Sequence, residues 1–452
     1  MNTDRGISLI FAITVVECLL IVDYIPTVWS KFTILRYILL TEDNRAQRGN
    51  GEFTQKPVVD CELRESISDG DYKKCCSLLA SHEQPLEQVN SQGFSILHLS
   101  AKKDKIMIFK AILEKGANIN TPTKDEHTVL HIAAHHGCYS ICEFILENYV
   151  HLFSCKDRQG MNPAHCAALE RHVHILKLML KFDCDLTENT ERYKENIVHL
   201  ACITGSLDVC KFVASDKNIS GLLHSKNREC WSSIQCACKN GHLGVLKFLC
   251  ENGVDLKNKS NKTGKNCLHT VCEKGYYKIC EYILEKEPNL IKEVDNIEQH
   301  AGHYAAKIGH TDTLQLLINN NRDVLLRATP DNINMFHVAC RHAWYDMCVS
   351  IDKEFPSLVS EITEKGWNAG LFVTERGDAE EERVKILKFL VQRNLDLCHV
   401  SRSGKSIYYN AKKNGLSSIV KYVLLKCPEA ENIKRSISSA APTKAQGNTS
   451  DT

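Results

Sequence analysis

Neither sign of charge dominates this chain: 56 Lys and Arg residues face 55 Asp and Glu. No global field therefore draws it toward nucleic acid. The phosphate-cradling pattern G-x-x-x-x-G-K-[ST] is missing, because Gly264-Lys265-Asn266 lacks the upstream glycine and the hydroxyl, and this excludes a P-loop NTPase. His131, His135 and His136, beside Cys138, place two imidazoles at H-x-x-x-H spacing without the glutamate of H-E-x-x-H, so they do not read as a metalloprotease zinc site. Cys230, Cys236 and Cys238 lack the paired C-x2-C spacing of a zinc knuckle. His165, Cys166, His172 and His174 come with no orienting group or oxyanion element that would make a nucleophile of the thiol. The expectation is a non-enzymatic protein with no metal and no cofactor.

Long apolar runs are nearly missing too. The one strong case is residues 7–22, ISLIFAITVVECLLIV, which is short for a bilayer span and carries Glu17 inside and Asp23 at its edge. As a secretory signal it lacks a net positive start, since Asp4 and Arg5 cancel, and no small-x-small cleavage site follows. A membrane anchor, a buried helix, a signal sequence and an atypical start all stay open. Were it to insert, Lys31, Arg36, Arg45 and Arg48 after it would hold the rest of the chain in the cytosol. Residues 41–59 have a linker composition, with Gly49, Gly51 and Pro57. From 431 to 452 the chain becomes rich in Ser, Ala and Thr and is expected to be disordered.

What is present is a repeat. Aligning on His131 gives His98, His165, His199, Gln235, His269, His303 and His337, at intervals of 33 to 36 residues. Weaker copies centre on Arg64, Leu371 and Tyr409, and a glycine recurs six residues on, as Gly70, Gly137, Gly205, Gly241, Gly275, Gly309, Gly377 and Gly415. Each unit carries two short apolar-striped helices; in the unit from Thr128 to Glu147, Leu130, Ile132, Ala133 and Ala134 precede Gly137, and Ile141, Phe144 and Ile145 follow. Helices of about two and a half turns are too short to stand alone and must stack on neighbours.

With Ser95-Ile-Leu-His98, Thr128-Val-Leu-His131, Asn162-Pro-Ala-His165, Asn196-Ile-Val-His199 and Asn266-Cys-Leu-His269, the chain resembles the ankyrin-repeat family from about residue 60 to 430. It departs from that pattern in keeping only Pro163 of the motif prolines, and in replacing the helix-ending glycine by Asp104 and Arg171 and the histidine by Leu371. The resemblance implies an all-α repeat solenoid of about ten to eleven helix-turn-helix units joined by short β-hairpin fingers. Residues 1–59 would precede the array (60–430) and 431–452 would follow it. Between Gly377 and Leu387 the register slips by about five residues, with Asp378, Glu380, Glu381 and Glu382 in the added length, which is expected to lie in a loop.

The 22 cysteines would suggest disulfides in a small secreted chain, but here they follow the register. Cys202, Cys238, Cys272 and Cys340 lie three residues after the motif position, and equivalent sites in packed neighbours sit about 10 Å apart, too far to bridge. Eleven residues after the motif position the chain reads Cys75, Phe109, Cys142, Leu176, Cys210, Leu246, Cys280, Leu314, Cys348, Leu387 and Val420. The first set is expected to be free buried thiols; in the second, cysteine occupies alternate repeats, as expected if pairs of repeats were the copied unit or if small and large side chains interleave along the outer-helix layer.

In the family that the chain resembles, inner helices and hairpin tips form a concave face that chooses the partner. The residues four and five after the motif position should end each inner helix there. Among them are Lys102, Lys103, His135, His136, Lys239, Lys274, Lys307, Arg341, His342 and Lys413. This cation excess marks a candidate groove for partner proteins with acidic or phosphorylated segments, although cations also complement helix C-termini in a merely solvated surface. The expected role is a cytoplasmic protein-protein interaction scaffold or adaptor. The alternative is a membrane-tethered ankyrin protein, or the cytosolic ankyrin part of a channel-like protein.

Overall fold

A computed structural model describes residues 58–81, 89–90 and 92–432. The apolar run 7–22, most of the expected linker and the tail from 433 onward lie outside the described residues. From Leu63 onward the chain forms one compact unit of stacked helix pairs. The pairs are α1 (Val58–Asp69) with α2 (Tyr72–Ala80), α3 (Ile96–Lys102) with α4 (Ile106–Glu114), α5 (Val129–His135) with α6 (Tyr139–Asn148), and α7 (Pro163–Leu169) with α8 (Val173–Lys181). Next come α9 (Ile197–Thr204) and α10 (Leu207–Ser215), α11 (Ser233–Asn240) and α12 (Leu243–Glu251), then α13 (Cys267–Lys274) and α14 (Tyr277–Lys286). The last four pairs are α15 (Ala301–Ile308) with α16 (Thr311–Asn321), α17 (Met335–Arg341) with α18 (Tyr345–Glu354), α19 (Ala369–Val373) with α20 (Glu380–Gln392), and α21 (Ile407–Lys413) with α22 (Ser417–Lys426). From α3 on, each first helix packs on the first helix of the next pair, and the second helices form a looser parallel row. No helix among the described residues is long and apolar enough to cross a membrane.

The motif histidine sits in the first turn of seven of the eleven first helices. His131 Nδ1 accepts the backbone N–H of Thr128 at 3.2 Å, and the Thr128 hydroxyl accepts the His131 N–H, which makes a reciprocal capping box. His98, His165, His199, His269, His303 and His337 accept their N-cap amides in the same way. Since Nδ1 is the acceptor, the proton sits on Nε2. In four of these seven that nitrogen reaches the next unit: His131 Nε2 donates to the Met161 carbonyl at 3.0 Å, His199 to Trp231 at 3.2 Å, His303 to Ile333 at 3.0 Å and His337 to Glu361 at 3.0 Å, whereas Nε2 of His98, His165 and His269 is buried with no hydrogen-bond partner among the described residues. In those four units one residue thus caps its own helix and ties two units together. Gln235 does both jobs with an amide, accepting from Ser232 N–H at 3.0 Å and donating to the Asn258 carbonyl at 3.2 Å.

No strands occur among the described residues, where two isolated antiparallel bridges, Lys226 with Ser232 and Val400 with Ser406, stand in the loops between units. These loops are closed by single backbone bonds such as Asp157 N–H to the Met161 carbonyl at 2.9 Å, and each stacks on the next through bonds such as Arg158 N–H to the Asp125 carbonyl at 3.1 Å. A turn of five residues leaves no length for a ladder of paired strands.

The extra length after Gly377 is helical rather than a loop. Helix α20 opens with Glu380, Glu381 and Glu382 in its first turn, where carboxylates complement the helix dipole. The left-handed residue that separates the two helices shifts accordingly to Ala379. Arg383, one turn in, is completely buried and donates to the carbonyls of Asp378 (2.6 Å), Val373 (2.7 Å) and Arg341 (3.1 Å) and to the Asp378 carboxylate. The guanidinium thus fills, with polar bonds, the gap that the register slip opens in the apolar layer.

Both cysteine sets are buried as the register predicts. They also meet each other: Cys272 and Cys280 of one unit have sulfurs 3.3 Å apart, and Cys340 and Cys348 lie 3.7 Å apart, on facing first and second helices. One disulfide stands apart from these columns and departs from the expectation of free thiols. It joins Cys398 and Cys427 at the outer end of the last two units, where the Cα atoms approach to 6.7 Å.

Candidate functional site

The ten candidate residues all lie at the C-terminal ends of first helices or one residue beyond, forming a row along one side of the array. Each end is finished by a residue in left-handed conformation, usually glycine, and the following residue packs on the preceding unit. His172 Nε2 donates to the His135 carbonyl at 3.0 Å, His242 to the Ile203 carbonyl at 3.1 Å and Trp344 Nε1 to the Lys307 carbonyl at 3.0 Å. Each ring satisfies a carbonyl at the end of the preceding first helix. The sequence signal for this column is a ring seven residues after the motif position, in His172, His242, Tyr276, His310 and Trp344.

The row is not uniformly cationic. Glu273, buried, accepts Lys265 Nζ at 2.7 Å and Lys307 Nζ at 3.0 Å, so the Lys307 charge is met from the neighbouring unit. Arg341 is held by Glu375 at 2.6 Å and lies 5.0 Å above the Phe372 ring. Burial and the surrounding Arg376, Lys307, Arg341 and Arg383 push the His342 imidazole down to about 4, which keeps it neutral. Lys239 stands 4.4 Å over the Trp231 ring, and burial lowers its ammonium to about 8. Beside it the Glu195 carboxyl is raised to about 7 by burial. Lys274 and Lys413 are exposed.

The N-terminal part of the row is different. Lys102 is half-buried and Lys103 exposed, and neither has an acidic partner within ion-pair distance among the described residues. His135 and His136 follow in the next unit with their rings 4.8 Å apart, edge to face. His135 is lowered to about 3 by burial and by His136, His127, His172 and Lys102, and its Nδ1 lies 3.6 Å from Glu170. His136 is lowered to about 4 by burial and then by Lys102, His172 and Lys103. Every charged or titratable neighbour pushing on His136 is basic. The sequence placed these residues together; it did not show that Lys307 and Arg341 farther along carry counter-charges, because those come from Glu273 and Glu375 in adjacent units.

Comparison with known proteins agrees with the geometry. The family description "Ankyrin repeats (3 copies)" matches residues 63–154, 130–222 and 216–293, which together span 63 to 293. The transient receptor potential cation channel subfamily A member 1 of Homo sapiens is 23% identical over 285 residues, covering 62% of this chain and 25% of that protein. Its Caenorhabditis elegans homolog is 24% identical over 192 residues, covering 42% of this chain and 15% of that protein. Protein ACCELERATED CELL DEATH 6 of Arabidopsis thaliana is 23% identical over 291 residues, covering 62% of this chain and 40% of that protein. The chain thus spans less than half the length of these relatives.

Proposed function

The chain belongs to the ankyrin-repeat family, and from that premise we propose that it works without catalysis, as a scaffold or adaptor holding partner proteins on the concave side of its array. On this reading the eleven helix pairs are ten to eleven ankyrin repeats occupying residues 60–430, with the turns between pairs in the place of β-hairpin fingers. The partner offers an acidic or phosphorylated segment. Lys102, Lys103, His135 and His136 receive it, and the paired cations Lys307 and Arg341 with the stacked Lys239 line the groove farther on. Lys274, His342 and Lys413 complete the row. The observation that carries the reading is a contrast within the row: Lys102 and Lys103 have no acidic ion-pair partner among the described residues, while Glu273 and Glu375 neutralise Lys307 and Arg341. An unneutralised pair at a helix end favours an incoming anion over any internal contact.

Partners captured from native lysate by the wild-type chain, and lost by a Lys102→Glu/Lys103→Glu variant, test it directly. Binding that is indifferent to both the reversal and ionic strength refutes an electrostatic partner site.

The similarity to cation channel subunits favours a second reading, in which the array serves as the cytosolic part of a channel-like or membrane-tethered protein. Residues 7–22 are the segment that would tether it. Membrane fractionation with and without the first forty residues separates the two, since a cytoplasmic adaptor stays in the soluble fraction in both forms.

A further inference from the structure

We propose that Cys398, Cys427 and Glu429 form a redox-gated site for a thiophilic divalent cation of the zinc type. Among the described residues this is the one place where three such side chains bring a donor atom each within 4.8 Å of one another. The Cys398 sulfur lies 3.9 Å from Glu429 Oε1. In a tetrahedral zinc site with Zn–S of about 2.3 Å and Zn–O of about 2.0–2.2 Å, neighbouring ligand atoms sit about 3.5–3.8 Å apart. The sulfur-to-carboxylate spacing already has that scale.

The backbone holds the three residues in place independently of any metal. The Cys398 N–H donates to Asp396 Oδ1 at 2.9 Å, which fixes the turn after α20. Cys427 ends α22, its N–H bonded to the Val423 carbonyl at 2.8 Å. The chain then turns through a 3-10 helix, Pro428–Glu431, in which Ala430 is buried and its N–H bonds back to the Cys427 carbonyl at 3.1 Å. That turn sets the second thiol and the carboxylate two residues apart on one side. Cys427 is buried and Glu429 exposed, so the open side of the site faces water, which can serve as the fourth ligand.

In the structure the two sulfurs are joined. Gating follows from that bond, since a disulfide has no thiolate to offer a metal. A small-molecule dithiol supplies two electrons and two protons, leaves as its own cyclic disulfide, and converts Cys398 and Cys427 to two thiols. The cation then displaces both thiol protons and binds the two thiolates with the Glu429 carboxylate. The buried pair Cys272 and Cys280 also brings two sulfurs together, but no third ligand among the described residues joins them.

The test is a Co²⁺ titration of the full chain, reduced with a phosphine that is then removed. A thiolate-to-cobalt charge-transfer band saturating at one ion per chain is expected for the reduced protein and no band for the oxidised one. Cys398→Ser should abolish the band, and Glu429→Gln should weaken binding by about tenfold or more. No band in the reduced wild type, a band that survives Cys398→Ser, equal binding by the oxidised chain, or Glu429→Gln binding as tightly as wild type each overturns the proposal. A second measurement on the unmutated chain removes any doubt about folding: Zn²⁺ should protect Cys398 and Cys427 from alkylation, read peptide by peptide, and equal labelling with and without Zn²⁺ also overturns it.

Discussion

The imidazole of His172 lies against Gly137, so close that a Cβ on the glycine would stand 2.8 Å from two ring atoms. The same ring donates to the carbonyl of His135 at 3.0 Å. Gly137 is therefore doubly constrained, by a φ of +68° and by the ring. Gly253 has a φ of +76°, but a Cβ there would meet nothing within 4 Å. Gly253→Ala should lose only the left-handed strain, about 1–2 kcal/mol. Gly137→Ala should lose about 1 kcal/mol more, as the ring moves and its hydrogen bond breaks. Urea unfolding of the two variants measures the difference, and equal losses would show that the ring contact contributes nothing.

A pH dependence follows from the motif histidines. Burial pushes His98, His131, His165, His199, His269, His303 and His337 each down to about 4. Unfolded, they titrate near 6.5, so between these values the unfolded chain binds more protons. The stability they confer is complete above about pH 6.5 and falls as pH drops toward 4, by up to about 1.4 kcal/mol per pH unit for each histidine. Acid unfolding should accordingly begin near pH 6. His131→Gln, copying the bonds of Gln235, should stay folded at pH 7 and reduce proton uptake on unfolding in this window by about one. An unchanged uptake would mean that His131 is already protonated in the folded chain.

The repeat, its helix pairs and its buried cysteine layer were legible because a spacing of 33 to 36 residues fixes the register, and the register fixes which residues face inward. That the ten candidate residues end the first helices was legible for the same reason. Their charge balance was not, since Lys307 and Arg341 find Glu273 and Glu375 34 residues away and the pairing depends on which unit stacks on which. The disulfide escaped because Cys398 and Cys427 lie in connections outside the two repeating columns, where a period says nothing about distance. Arg383 escaped as well. A charged residue in an inserted stretch reads as solvent-exposed, and only the extra helical turn of α20 carries it inward.

Arg383 should be among the most sensitive single positions. It is wholly buried, and its guanidinium bonds to three carbonyls, those of Asp378, Val373 and Arg341. Arg383→Met keeps the volume but leaves buried acceptors without donors, a loss of about 3 kcal/mol or more. Asp378 has a largely exposed carboxylate, so Asp378→Asn should cost less than about 1 kcal/mol. Chemical denaturation of both variants decides it. Comparable losses would place the weight of the interaction on the ion pair rather than on the carbonyls.

Charge pairing along the row predicts an order of sensitivity in partner binding. Lys307 already has Glu273 at 3.0 Å, and Glu273 keeps Lys265 at 2.7 Å when Lys307 is removed. Lys307→Gln therefore leaves the buried carboxylate compensated and takes little from an incoming anion, so affinity should change less than about twofold. Lys102→Glu/Lys103→Glu acts on cations with no acidic ion-pair partner among the described residues. Reversing two such charges should weaken an acidic partner by about tenfold or more, and the remaining binding should depend less on salt. Affinities of the captured partner for both variants, at low and high ionic strength, measure this. A larger loss at Lys307 than at Lys102 and Lys103 would move the docking point to the C-terminal half, with the Glu273 pair opening when the partner binds.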